Sequence, residues 1–138
     1  MVTLTDPLHL GHLIHMKMAK ALGDKLIVIV NSDASGISKK GFCLVPLEER
    51  MAMLRELSFV DEVVASIDRD DTVAKTLQLI RPNIFAKGGT KTLENIPEIE
   101  QRICEQIGCE LVTGIGEITP YHSSTDFILS VVEKFQKL

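Results

Sequence analysis

The stretch Thr5-Asp6-Pro7-Leu8-His9-Leu10-Gly11-His12 decides the fold of this chain and points to its chemistry. Two imidazoles lie three residues apart around a glycine, where a short strand gives way to an amphipathic helix. A helix start offers unpaired N–H donors and a partial positive charge, and glycine leaves room for an approaching phosphate. Histidines can donate hydrogen bonds to phosphate oxygens. The pattern therefore suits a triphosphate site, although Asp6-Pro7 could instead be a plain helix start with polar histidines in its first turn.

Length and composition indicate one globular domain over residues 1–138, with 45% apolar and 25% charged residues. The formal net charge of -4 gives no basic field for nucleic acid or for an anionic membrane. No apolar run approaches the roughly 18 residues of a membrane span, and no signal-peptide pattern opens the chain. The three cysteines form no C-x-x-C pair, which favours free thiols in a reducing cytoplasm over a metal site.

Helix and strand patterns alternate along the chain. Predicted helices cover residues 10–22, 46–57, 71–80, 96–107 and 123–137; predicted strands cover 25–30, 61–67, 83–86 and 110–113, with a polar loop over 31–45. Such alternation predicts βαβ units. The fold class is therefore α/β, a Rossmann-like parallel sheet with helices on both faces. Only residues 1–5 precede Asp6, so the first strand is expected to be truncated.

Polar groups follow the predicted strands at the same edge of this sheet. They are the His9–His12 segment, the Lys39-Lys40 pair, Lys87-Gly88-Gly89 and the serines at the start of the last helix. Because the carboxyl ends of parallel strands meet at one edge, these four groups are expected to converge.

Several ordered motifs extend this pattern over almost the whole chain, at 6–12, 22–31, 46–50, 60–64, 82–89 and 123–125. With them, the chain resembles the cytidylyltransferase-like family of nucleotidyltransferases. It is similar to glycerol-3-phosphate cytidylyltransferase and, around Lys87-Gly88-Gly89, to the heptose-phosphate adenylyltransferase domain. The resemblance implies transfer of CMP or AMP from CTP or ATP to a phosphorylated polyol or sugar, with release of pyrophosphate. It also implies Mg²⁺ held mainly by the nucleotide phosphates, no metal ligands from the protein, and a homodimer.

The resemblance also implies roles for individual residues. His9 and His12 would contact the α- and β-phosphates and the transition state, and Lys39 or Lys40 would reach phosphates from a loop. Arg50 would bind the acceptor phosphate, and the β- and γ-phosphates would be held by Ser123, Ser124 and Thr125. The nucleoside pocket would be lined by Lys87, Gly88 and Gly89, and the nucleotide site would be completed by Leu4, Thr5, Asp6 and Gly11. Simpler readings stay open for four of these groups: solvated charge for the lysines, a helical ion pair for Arg50, an N-cap for the serines and a tight turn for the glycines.

The sequence departs from the family pattern at three places, and two of them, the short first strand and the missing arginine, motivate an alternative function. Thr3 and Leu4 stand in the short first strand where small residues are expected, Thr90 replaces a common acidic residue, and no arginine precedes Ser123. His122 could replace that arginine as a donor, but a surface histidine is the simpler reading. The alternative is a catalytically impaired nucleotide-binding protein with a sensory or scaffold role.

Overall fold

The computed structural model describes residues 1–88, 92–116 and 123–138, in which strands and helices alternate. The elements are β1 (Val2–Thr3), α1 (Leu10–Lys20), β2 (Ile27–Val30), α2 (Asp33–Lys40), α3 (Leu47–Arg55), β3 (Glu62–Ala65), α4 (Ala74–Ile80), β4 (Ile84–Gly88), α5 (Glu98–Ile107), β5 (Glu110–Ile115) and α6 (Ser124–Gln136), with a 3₁₀ turn at Leu93–Asn95. None of the helices in these ranges has the length and apolarity that a membrane span requires.

Every strand pair in the described ranges is parallel. β2 lies between β1 and β3, and β4 pairs with β5. Parallel neighbours need crossover connections, which the intervening helices provide. The predicted α/β architecture is therefore confirmed.

Side chains of β2 alternate between two cores, as the period of an extended strand requires. Val28 and Val30 pack in one cluster with residues of α1 and α3. Ile29 points the other way, into a second cluster with residues of α4 and α5. Each cluster also takes residues from β4, so helices cover both faces, as predicted.

The first strand is short, as the sequence predicts. β1 has two residues and pairs with β2, whereas β5 is the only strand paired with β4 among the described residues. Between the amino ends of β2 and β4 lies a cavity of about 370 Å³. The Met1 amine lies at this cavity and donates to the Ile27 carbonyl at 2.9 Å; burial lowers the pKa of that amine to about 5. This cavity is at the opposite edge of the sheet from the histidines.

Two local predictions are wrong. The segment 31–45 is not a loop throughout, because the Ser32 side chain accepts from the Ser35 N–H at 3.1 Å and caps α2, which ends at Gly41 with φ 88°. Lys39 and Lys40 thus lie in the last turn of a helix. The alternative helix start at Asp6-Pro7 is also wrong, since α1 begins at Leu10 with His9 as its N-cap.

Candidate functional site

His9 and His12 form a reciprocal cap at the start of α1. The Gly11 N–H donates to Nδ1 of His9 at 3.0 Å, and the His9 N–H donates to Nδ1 of His12 at 3.1 Å. A nitrogen that accepts from an N–H carries no proton, so both neutral rings hold their proton on Nε2. The cap therefore leaves each histidine with an Nε2–H donor at a helix start. The N–H of Gly11 is used by this cap and is not among the donors left for a ligand.

The two imidazoles lie against each other, with ring centroids 3.9 Å apart. Burial lowers the pKa of His12 to about 3, with further lowering by His9, His15 and Lys40. Burial, followed by the charge of His15, also lowers the pKa of His9. Both rings are therefore neutral at pH 7 before an anion binds. A bound polyphosphate would favour their protonated forms, since a nearby negative charge raises a histidine pKa.

The start of α6 lies beside this cap. The Phe127 ring stacks near His9 with centroids 6.3 Å apart, and the Ser124 hydroxyl donates to the Pro7 carbonyl at 3.0 Å. Ser123 is the N-cap of α6, with its Oγ accepting from the Asp126 N–H at 3.1 Å. The predicted convergence of these two helix starts is confirmed. The Ser124 hydroxyl proton, however, is already donated within the protein.

Asp6 and Lys40 form a buried ion pair near His12. The Asp6 carboxylate accepts from the N–H groups of Leu44 and Val45 at 2.9 and 2.7 Å and from Lys40 at 3.2 Å. Burial alone would raise the pKa of Asp6, but these donors outweigh it and hold the pKa below its ordinary value. Lys40 also donates to the Asp6 carbonyl at 2.6 Å. The side chain of Asp6 is therefore occupied by protein groups, and that of Lys40 by Asp6.

Lys39 has a different environment from its neighbour. Its side chain is exposed, and it makes no hydrogen bond or ion pair with another residue in the described ranges. Lys40, in contrast, is close enough to His12 to lower the pKa of that ring. Of the two lysines, Lys40 lies beside the histidines and Lys39 faces solvent.

Arg50 is fully buried, with an exposed side-chain fraction of 0%. It donates to the carbonyls of Val45, Leu4 and Asn31, each at 2.8 Å, and to the Asp33 carboxylate at 2.6 Å. The guanidinium is buried among protein acceptors in this structure, and a contact of Arg50 with an acceptor phosphate stays a prediction. Arg50 joins the ends of β1 and β2 to the starts of α2 and α3.

Leu4 and Thr5 shape the turn that leads into the histidines. The Leu4 carbonyl accepts from Arg50 and from the Thr5 hydroxyl, both at 2.8 Å. Thr5 is buried and has φ 49°, a left-handed conformation that is uncommon for a β-branched residue. Such backbone strain persists only where the surroundings enforce it. The buried Thr5 side chain supports the turn and is not displayed at its surface.

Lys87 forms a further ion pair, with Glu100 of α5. Their side chains are 14% and 2% exposed and their charged atoms 3.1 Å apart, and the ammonium also lies 4.8 Å from the centre of the Phe85 ring. Glu100 was not singled out from the sequence, where it is one of several acidic residues on an amphipathic helix. Gly89, predicted to line the nucleoside pocket, lies outside the described residues, as do Thr90 and His122.

His15 is a further histidine at the site that the sequence reading missed. A side-chain carbon at Gly88 would lie 2.6 Å from its Nδ1, and one at Gly116 would lie 1.9 Å from its Cδ2. The absence of a side chain at Gly88 therefore makes room for His15. The spacing of the histidines could have indicated this residue, because His15 follows His12 by three residues and so lies on the same side of α1.

The residues in the described ranges include no group of three or more histidine, cysteine or acidic side chains that could hold a metal ion. Cys43, Cys104 and Cys109 are unpaired. The donor set at the histidine edge is made of imidazoles, helix N–H groups and an ammonium, which suits an anion better than a protein-held cation.

Comparison with known proteins agrees with this geometry. The sequence profile described as cytidylyltransferase-like matches residues 5–129. The chain belongs to the cytidylyltransferase-like family. It is 36% identical over 140 residues to the bifunctional protein HldE of Hahella chejuensis, covering 96% of this chain and 26% of that protein. It is 44% identical over 93 residues to the HldE protein of Proteus mirabilis, covering 66% of this chain and 19% of that one.

A solved structure is also similar to this member of the cytidylyltransferase-like family. It is the lipopolysaccharide core biosynthesis protein of Thermoplasma volcanium, with a TM-score of 0.72 and 26% identity over 86% of this chain and 94% of that one. The chain spans about a quarter or less of the curated relatives named above. The activity of those whole proteins therefore comes to this chain only as a proposal.

Proposed function

We propose that this chain transfers a nucleotidyl group from CTP or ATP to the phosphate of a small phosphorylated polyol or sugar. An oxygen of the acceptor phosphate attacks the α-phosphorus, a new P–O–P bond forms, and the bond from the α-phosphorus to the bridging oxygen breaks. Pyrophosphate leaves with that electron pair. Such chemistry depends mostly on position and on charge stabilisation.

The observation that carries the proposal is the reciprocal cap of His9 and His12. Backbone N–H groups donate to the Nδ1 atoms of both rings. These hydrogen bonds select the tautomer of each neutral ring that carries its proton on Nε2. Two preorganised donors then lie at one helix start, beside the start of α6. Donors that need no reorganisation are effective where negative charge develops on a phosphoryl group.

The start of α6 is proposed to hold the distal phosphates. The backbone N–H groups of Ser124 and Thr125 and the Thr125 hydroxyl are the suitable donors there, because the Ser124 hydroxyl donates to Pro7. Lys40 is proposed to add positive charge beside His12. Lys39, which is exposed, is proposed to form ion pairs with the phosphates. Mg²⁺ is expected to be bound by the nucleotide phosphates and water, as no protein cluster for it exists in the described ranges.

Self-association is a further part of this proposal. Helix α6 exposes large apolar side chains, among them Leu129 at 60% and Phe135 at 74%. A second copy of the chain would remove this surface from water. Phe135→Glu is expected to convert a dimer into a monomer in sedimentation experiments. Lys134→Gln, an exposed position on the same helix, also lowers the net charge by one and is the control.

The proposed activity is tested by incubating the purified protein with Mg²⁺, each of the four nucleoside triphosphates and a panel of sugar and polyol phosphates. Pyrophosphate release that requires both a nucleotide and one acceptor is the expected result. Nucleotide binding without pyrophosphate release across the panel would favour the impaired binding protein. Neither binding nor release would contradict both functions.

His12 needs two substitutions, because its ring also caps α1. His12→Ala removes the acceptor for the His9 N–H, whereas His12→Asn keeps an oxygen near that N–H and shortens the reach of the donor. Both are expected to lower turnover by about 10² or more, the typical effect of losing a transition-state donor. Wild-type turnover in either variant would refute the role of His12. Met18→Ala, an exposed position on the same helix, is the control.

A further inference from the structure

His15 occupies a distinct place at the carboxyl edge of the sheet. Its imidazole is set between the backbones of Gly88, at the end of β4, and Gly116, directly after β5. At both positions a side-chain carbon would be 2.6 Å or less from the ring, so glycine at these two positions keeps this space for the imidazole. At Gly116 the φ of 94° also favours glycine. The two glycines therefore define the position of the ring by the space that they leave for it.

The ring of His15 keeps its hydrogen-bonding capacity. No residue in the described ranges donates to or accepts from its two nitrogens, and the side chain is only partly buried. Because burial lowers the pKa of His15, the ring is neutral at pH 7 and offers one donor and one acceptor. A ribose hydroxyl or a base can hydrogen-bond to either nitrogen, whereas a phosphate oxygen can use only the donor, because it only accepts.

His15 also lies close to the two histidines of the helix start. A proton on His15 lowers the pKa of both His9 and His12, so the three rings lie within electrostatic range of one another. Being three residues further along α1, it is displaced from His12 by about 4.5 Å along the helix axis. That offset separates His15 from the two histidines that are proposed to contact the phosphates.

The geometry points to His15 as a nucleoside-contacting residue, which hydrogen-bonds the base or ribose of the bound nucleotide over the ends of β4 and β5. This assignment rests on the proposed function and extends it from the phosphates to the nucleoside. It gives a reason for the two glycines next to the ring, since any side chain at either position would occupy the space of the imidazole.

The test compares binding of MgATP, MgCTP and magnesium pyrophosphate to the whole chain by calorimetry. Pyrophosphate has the anionic groups but no nucleoside. His15→Ala is expected to weaken binding of at least one nucleotide by about tenfold, the value of one hydrogen bond, and to leave the pyrophosphate affinity unchanged within twofold. His15→Gln, which keeps a donor and an acceptor, is expected to recover part of the loss. Met18→Ala should match the wild type for all three probes.

Each contrary result has a separate meaning. If His15→Ala binds both nucleotides as the wild type does, or loses pyrophosphate and nucleotide affinity equally, the assignment of His15 is wrong while the proposed function stands. If the wild type binds neither nucleotide, the proposed function fails and this assignment fails with it. Should His15→Ala not fold, histidine-selective ¹⁵N NMR on the wild type decides: ring signals of His15 that respond equally to pyrophosphate and ATP contradict the nucleoside contact.

Discussion

Replacing Arg50 by lysine distinguishes a side chain that supports the site from one that binds substrate. The guanidinium reaches four protein acceptors from three nitrogen atoms and is fully buried. A lysine ammonium donates at most three hydrogen bonds from a single point, so it cannot span the same set. Four acceptors and at most three donors leave at least one of these contacts unmade, at about 1–3 kcal/mol.

The expected loss for Arg50→Lys is therefore about 2 kcal/mol in the free energy of unfolding, which corresponds to a fall in Tm on the order of 8 °C. Urea and thermal unfolding measure this loss. Arg55→Lys, an exposed position on the same helix, should change the free energy of unfolding by less than about 0.5 kcal/mol. A variant with wild-type Tm but a raised KM for the phosphorylated acceptor would refute this reasoning and restore the direct substrate contact predicted from the sequence.

Three further predictions follow from the buried charges and the backbone. The pKa of His12 is 6.5 in the unfolded chain and about 3 in the folded protein, so between these values only the unfolded chain binds this proton. The free energy of unfolding should therefore fall by about 1 kcal/mol from pH 7 to 5.5. Urea unfolding at both pH values measures this fall, which should be smaller in His12→Asn. Arg81→Gly should raise Tm through about 1 kcal/mol of relieved left-handed strain, since Arg81 ends α4 with φ 52°. Lys40→Met should lower the free energy of unfolding by about 2 kcal/mol because it leaves the Asp6 carboxylate with one partner fewer, whereas Lys39→Met should leave Tm unchanged in thermal melts.

Local patterns in the sequence were sufficient for the order of elements and the fold class. The apolar run before Asn31 predicted a strand covered on both faces, and Val28 and Ile29 do enter opposite cores. Ser123 was predicted as an N-cap and is one. These features depend on residues a few positions apart, so periodicity and capping rules report them directly. Helix α2 was missed because its eight residues include a glycine, two serines and two lysines, with little apolar periodicity.

The roles of the charged residues were decided by the tertiary structure. Arg50, read as a phosphate ligand, donates to the Leu4 carbonyl 46 residues away, and Lys40 donates to Asp6 34 residues away. His15 became visible only when the ends of β4 and β5 were brought to its ring. The sequence by itself determined which segments form strands and helices and that the histidines stand at a helix start. Only the tertiary structure decided which of the charged groups are used within the protein, because a hydrogen bond depends on atoms within about 3 Å and sequence periodicity carries no information on such distant partners.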